Sequence, residues 1–291
     1  MQTVEGLQLR LPDGRMLGYA EYGDQIGRPL VFLHGFPGSR LAGAVLDEEA
    51  RLAGVRVVAP ERPGLGLSSP QPNRSLLDHA QDVRALADAL EFDRFAVLGE
   101  SGGGPYALAC AHELPTRLRC AAVVCGLGPL GCPGAIAGIA RKERFGYMIA
   151  QRAPLLAGRA LVPVATCARR WPRQFLRVTR WQLEEPDRQA LSGALGELVA
   201  ADFAEAVRQG SHGVGQDLAL LFRPWPFDPA AIRVPVLFFH GCRDRTVSVA
   251  VAQELARIVP ASRLRLHERD GHFSLLTRNA EQILEDVTGC A

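Results

Sequence analysis

No two of the seven cysteines (110, 120, 125, 132, 167, 242 and 290) stand in C-x-x-C spacing, and their number is odd. Those two absences exclude a zinc frame and a disulfide scaffold, and leave the cysteines as small buried apolar side chains in a reducing compartment. The first fifteen residues hold no uninterrupted apolar segment, so no secretory signal is visible and the expected location is the cytoplasm. Charge of either sign is nearly balanced, 33 Lys and Arg against 31 Asp and Glu. The whole molecule therefore offers no field that would gather nucleic acid. Internal repeats and low-complexity tracts are missing. Between Arg119 and Arg141 there is no charge at all, yet Gly126, Gly128, Pro129, Gly131, Pro133, Gly134 and Gly138 interrupt the stretch. A lipid-spanning helix with so many breaks would leave backbone groups unsatisfied, so the segment reads as a buried strand followed by a loop, with no membrane span.

What is present is a chain of 291 residues, 47% apolar and 22% charged. That composition belongs to a globular protein long enough for one full core with an insertion. Leu7–Leu11 and Met16–Tyr22 are short alternating runs joined by Pro12-Asp13-Gly14-Arg15, a hairpin signal. Pro29–His34, Val55–Ala59, Phe95–Gly99 and Cys120–Cys125 read as buried strands, separated by a helix over Arg40–Ala53 and by another that Ser75 and Asp78 cap and that runs to about Leu90. From about Gly126 to Asp228 the alternation stops, in a segment that holds all three tryptophans. It then resumes with a strand over Pro235–His240, a helix over Val247–Val259, a strand over Arg263–His267 and a closing helix over Phe273–Val287. The expected class is α/β, a mainly parallel sheet flanked by helices. Its core spans residues 1–125 and 229–291, and residues 126–228 form an inserted helical lid.

Chemistry concentrates around Gly99-Glu100-Ser101-Gly102-Gly103, where an apolar run meets a glycine cluster and an alanine-rich segment. Gly99, Ser101 and Gly103 fit the G-x-S-x-G strand-to-helix elbow, which exposes a serine Oγ at a strained turn. Serine attack needs a base, and the base needs an acid to hold its ring. In an open parallel sheet such groups collect at the carboxyl ends of strands. Asp244 and His272 follow the last two strands, and the order Ser101, Asp244, His272 is nucleophile, acid, base. Alone, His272 reads as a loop histidine and Asp244 as a turn aspartate; the coincidence of three positions gives them catalytic roles. Asp270 is a competing acid, too close in sequence to His272 to reach behind its ring, and Asp217 and Asp228 lie outside any strand end. The backbone amides of Phe36 and Gly102 are the expected oxyanion donors, with His34 bracing the loop that carries Phe36.

His34-Gly35-Phe36-Pro37-Gly38, Arg62-Pro63-Gly64-Leu65-Gly66-Leu67-Ser68, Gly99-Glu100-Ser101-Gly102-Gly103, Gly241-Cys242-Arg243-Asp244 and Gly271-His272 together resemble the α/β-hydrolase family. The resemblance covers the core on both sides of the insertion. It implies an eight-stranded sheet with the first two strands as an edge hairpin, a helical lid, and hydrolysis through an acyl-enzyme without cofactor or metal. Glu61 stands where aspartate commonly precedes the Arg-Pro-Gly run, a conservative departure. Serine at 101, where relatives that open epoxides or remove halogen carry aspartate, speaks against both of those chemistries.

The expected substrate is a small to medium, moderately hydrophobic carboxylic ester. Tyr106, Leu127, Leu130, Trp171, Trp181 and Trp225 are the candidate pocket residues, with Phe36, Ile136 and Ile139 adding to the apolar supply. A lactonase or carbon–carbon bond hydrolase, an amidase or proline-iminopeptidase-like enzyme, and a ligand-binding protein with a vestigial site are the alternatives. Glu100 is expected to face solvent at a helix start. Residues 141–180 carry ten basic residues against Glu143 alone; the simplest expectation is a solvated face whose arginines pair with Glu184, Glu185, Asp187 and core carboxylates. The chain is expected to act as a monomer or homodimer.

Overall fold

Asp13-Gly14 closes the hairpin, with Gly14 at a φ of +87° that a side chain would resist. Around it pair β1 (Val4–Arg10) and β2 (Met16–Gly23), antiparallel as expected. The computed structural model describes residues 4–129 and 148–290. In it β3 (Arg28–Leu33), β4 (Val55–Pro60), β5 (Phe95–Glu100), β6 (Leu118–Val124), β7 (Val236–Gly241) and β8 (Ser262–His267) complete an eight-stranded sheet ordered β1-β2-β4-β3-β5-β6-β7-β8. β2 runs antiparallel to both neighbours, and every pairing from β4 to β8 is parallel.

The central strands are apolar throughout because both faces are covered, and their alternation divides the core in two. Val31, Leu33, Val97, Val123 and Phe238 point to one side, Leu30, Phe32, Leu98, Val124 and Phe239 to the other. On the first face lie α2 (Leu76–Ala89) and α3 (Gly104–Glu113). The Ser75 capping box opens α2, the Ser75 amide donating to Asp78 at 2.6 Å. The helix expected over Arg40–Ala53 is instead a 3-10 segment, Arg40–Leu46, followed by α1 (Asp47–Leu52). Gly43 sits in the 3-10 segment, where a Cβ would approach Tyr22 and Ala59 to 2.8 Å. The closing helix likewise breaks at Asn279 into α10 (Ser274–Arg278) and α11 (Ala280–Thr288), where the Asn279 amide donates to Asp270 and to the Leu275 carbonyl. Between β7 and β8 runs α9 (Val249–Ile258).

Between β6 and β7 the chain forms α4 (Pro154–Arg170), α5 (Pro172–Trp181), α6 (Glu185–Ala190), α7 (Ala194–Ala206) and α8 (Ser211–Leu221). They share a small core of Ala165, Ala168, Ala200, Phe203, Val207 and Val214 with Leu65, which comes from the loop after β4. Among the described residues of the basic stretch, the expected pairing with nearby acids is not what these helices show. Glu184 pairs with Arg245, Glu185 with Arg188, and Asp187 turns inward, while Arg170 stacks over Trp171. Among the described residues no helix is long and apolar enough to cross a membrane. Leu130, Ile136, Ile139 and the basic residues from Arg141 to Arg144 lie outside the described residues.

Candidate active site

The elbow forms because glycine is the only residue that fits on either side of the serine. A Cβ on Gly99 would fall 2.3 Å from the Gly103 carbonyl oxygen, and one on Gly103 would fall 2.0 Å from that of Leu33. Between them Ser101 takes a φ of +50°, in the left-handed region that a side chain occupies only when its surroundings compel it. Its Oγ stands at the carboxyl end of β5, 3.0 Å from His272 Nε2. His272 Nδ1 lies 2.7 Å from Asp244 Oδ2. The second Asp244 oxygen accepts from the amides of Thr246 at 2.7 Å and Val247 at 2.8 Å, so the carboxylate is oriented from behind. Asp270 is engaged elsewhere, by Arg278 and Asn279.

Electrostatics follow from this geometry. Burial alone would depress the His272 imidazole, but Asp244, with Glu100 and Asp187 nearby, raises it to about 9. Burial works to raise Asp244, and the His272 imidazole, with His240 and the Val247 amide, holds it below the ordinary carboxylate range. Cys125, at a φ of +48° after β6, brings its sulfur within 4.8 Å of an Asp244 carboxylate oxygen and a His272 ring nitrogen, and burial pushes its thiol well up.

Phe36 and Gly102 meet across the mouth of the elbow: a Cβ on Gly102 would lie 3.1 Å from the Phe36 amide nitrogen. His34 is fully buried behind the same loop, with Nδ1 2.9 Å from the Gly35 carbonyl and Nε2 accepting from the Arg62 amide. Burial, with Arg62 beside it, pushes the His34 ring well below its ordinary value. A neutral ring used as a brace fits both contacts.

Two cavities open at Ser101. One, about 290 Å³, is bounded by Phe36, His272 and Phe273 from the core and by Phe175, Val199 and Phe203 from the helices above. The other, about 420 Å³, is lined by Leu127, Ile149, Leu161, Leu218 and Phe222. Of the five candidate pocket residues among the described ones, Leu127 alone is brought to these walls. Tyr106 is fully buried on the core side of α3, where its hydroxyl donates to Asp217 and accepts from Arg74. Trp225 stacks on Phe227 at 5.4 Å against the main core. Trp171, just before α5, and Trp181, its last residue, are 51% and 83% exposed; that helix presents Phe175 and Thr179 to the cavity instead. Leu130 lies outside the described residues.

Glu100 corrects another expectation. It lies at the end of β5 and lines the 290 Å³ cavity beside Ser101, where burial raises its carboxyl. Asp202 lines the same wall; burial outweighs the two hydrogen bonds from Ser39 and raises it to about 7. The overlooked lining of α7 carried a legible signal: Leu195, Leu198, Val199, Asp202 and Phe203 repeat at helical spacing.

The family model described as alpha/beta hydrolase fold matches residues 28–279. The chain belongs to the α/β-hydrolase family. Mouse Protein ABHD8 is 27% identical over 87% of this chain and 53% of its own length. The non-heme chloroperoxidase of Streptomyces lividans is 33% identical over 40% of this chain and 44% of its own. The chain thus spans about half the length, or less, of these curated relatives. Among solved structures, a hydrolase from Pseudomonas aeruginosa superposes with a TM-score of 0.70 at 19% identity, covering 98% of each chain. The esterase RhEst1 from Rhodococcus gives 0.68 at 24% identity over 100% of each.

Proposed function

We propose that the protein is a serine hydrolase that cleaves a small to medium, moderately hydrophobic carboxylic ester. The observation that carries this reading is the unbroken chain Asp244, His272, Ser101, at 2.7 and 3.0 Å, opening onto apolar cavities. Asp244 accepts the Nδ1 proton of His272, which leaves Nε2 free to take the hydroxyl proton as Ser101 Oγ attacks the ester carbonyl. Negative charge developing on the carbonyl oxygen falls between the amides of Phe36 and Gly102. Collapse of the tetrahedral intermediate expels the alcohol, which takes its proton from His272. A water activated by the same imidazole then releases the acid and regenerates Ser101. The helices α4 to α8 act as a cap that supplies the apolar wall facing the ester.

A second reading has a specific observation behind it. Glu100 and Asp202 both face the cavity, which would suit a substrate amine and so an amide or iminopeptidase-like reaction. The test is turnover of p-nitrophenyl butyrate beside matched lactones and aminoacyl p-nitroanilides. Ester turnover that Ser101→Ala abolishes supports the main reading. Parental ester turnover by Ser101→Ala contradicts it, and preference for the anilides moves the assignment to the second.

A further inference from the structure

Three consecutive helices of the insertion each send one aspartate down into the loops that carry the proposed catalytic groups. These are Asp187 from α6, Asp202 from α7 and Asp217 from α8, exposed by 4%, 9% and 0%. Asp187 reaches the turn after β8. One of its oxygens accepts from the His272 amide at 2.9 Å, and the other from the amides of Phe273 and Ser274 and from the Ser274 hydroxyl, at 2.9 to 3.0 Å. The approach is so close that a Cβ on Gly271 would lie 2.4 Å from the carboxylate. Asp217 is held between Arg62 at 2.9 Å and Arg74 at 2.9 Å, with the Tyr106 hydroxyl as a third donor.

Arg62 passes the constraint on. Its remaining nitrogens donate to the His34 carbonyl at 2.6 Å and the Gly35 carbonyl at 2.8 Å. The Gly35 carbonyl and the Phe36 N–H belong to one planar peptide and point in opposite directions. Fixing the carbonyl therefore aims the N–H, and the charged donor polarises it toward a stronger hydrogen bond. A buried carboxylate without such partners would be costly, so the cap cannot lift away without stranding Asp187 and Asp217 and releasing both loops.

We infer that Asp187 and Asp217 are positioning residues, Asp187 for the backbone of His272 and Asp217, through Arg62, for the amide of Phe36, so that the cap completes the site instead of merely gating it. The inference rests on the serine-hydrolase reading. Asp202 follows the same pattern through the Ser39 amide and hydroxyl, but it also lines the cavity and so makes a less clean test.

The experiment compares the parent with Asp187→Asn and Asp217→Asn in ester kinetics, rates of labelling by a fluorophosphonate, and thermal melting. Both variants keep side-chain shape and lose the charge. For Asp217→Asn the expected result is kcat at least tenfold lower with KM within about twofold, because the donor is misaimed while the cavity is untouched. For Asp187→Asn, kcat falls and the acid limb of the kcat/KM profile also moves to lower pH. The groups facing His272 are Asp244, Glu100, Asp187, His240 and Cys125, and removal of one anion among them lowers its proton affinity. A role confined to folding would lower the melting temperature and leave that limb in place. Should either amide variant fail to accumulate, Arg62→Lys, which keeps a cation but loses the fork, and Asp187→Ser carry the same comparison. Folded variants with parental kcat and a parental pH midpoint overturn the inference. A parent that neither turns over esters nor is labelled contradicts the hydrolase reading itself.

Discussion

Replacing Asp244 by asparagine tests how the proposed site divides its labour. Oδ1 of Asp244 accepts two amides, from Thr246 and Val247, and Oδ2 faces His272 Nδ1 at 2.7 Å. An asparagine carbonyl would take over the two amide bonds, because turning it round would bring its NH2 against two N–H donors. Its NH2 would then point at Nδ1, forcing that nitrogen to accept and Nε2 to carry the proton toward Ser101. With the wrong tautomer the imidazole cannot act as base, and losses of about 10⁴ in kcat are typical of this change in a Ser-His-Asp site, or about 5.5 kcal/mol of barrier. The fold should survive, since the shape and both amide bonds are kept. The assay is p-nitrophenyl butyrate turnover with active-site titration, with Asp270→Asn as the companion. Asp270 touches Arg278, Asn279 and His267 but not the His272 ring, so that variant should stay within about twofold of parental kcat. An Asp244→Asn protein within tenfold of the parent, or an Asp270→Asn protein as impaired as Asp244→Asn, would refute the reasoning.

Other outcomes follow from the same geometry. His272 must be neutral to act as base and its proton affinity is raised to about 9, so kcat/KM should climb with pH until it levels near that value; a profile already flat from pH 6 would contradict this. Glu100→Gln removes one of the anions that raise His272, and the acid limb should move to lower pH in a kcat/KM titration. Phe203→Ala removes a ring 7% exposed that stacks on Phe175 at 5.6 Å. It should cost about 3 kcal/mol in denaturant unfolding and shift preference toward longer acyl chains. Tyr106→Phe deletes a hydroxyl shared by Asp217 and Arg74 and should cost about 1–3 kcal/mol of stability with KM unchanged, because Tyr106 is remote from both cavities.

The core was readable because its signals are local. Asp13-Gly14 specifies a hairpin turn, Ser75 and Asp78 specify a helix start, and glycines flanking Ser101 specify the elbow, each within a few residues. The 3-10 segment around Gly43 and the break at Asn279 depend on contacts with Tyr22 and Asp270, which lie outside the helical repeat, and periodicity alone ran both helices through. Long-range packing also decided the pocket walls. Aromatic content pointed to Trp171 and Trp181, but α5 turns Phe175 and Thr179 to the cavity, while the tryptophans at its two ends stand in solvent. Tyr106 sits on α3 just after the elbow, yet its side of that helix faces the core, where Asp217 and Arg74 satisfy its hydroxyl. Asp187 and Asp217 gave no warning in the sequence, since their partners are loops 85 and 155 residues away.

The most direct test of the central claim is peptide mapping by mass spectrometry after reaction with a fluorophosphonate. A single adduct on the peptide containing Ser101, absent when Ser101 is alanine or His272 is glutamine, is the predicted result. An adduct on another residue, or no adduct on the folded parent, would contradict it.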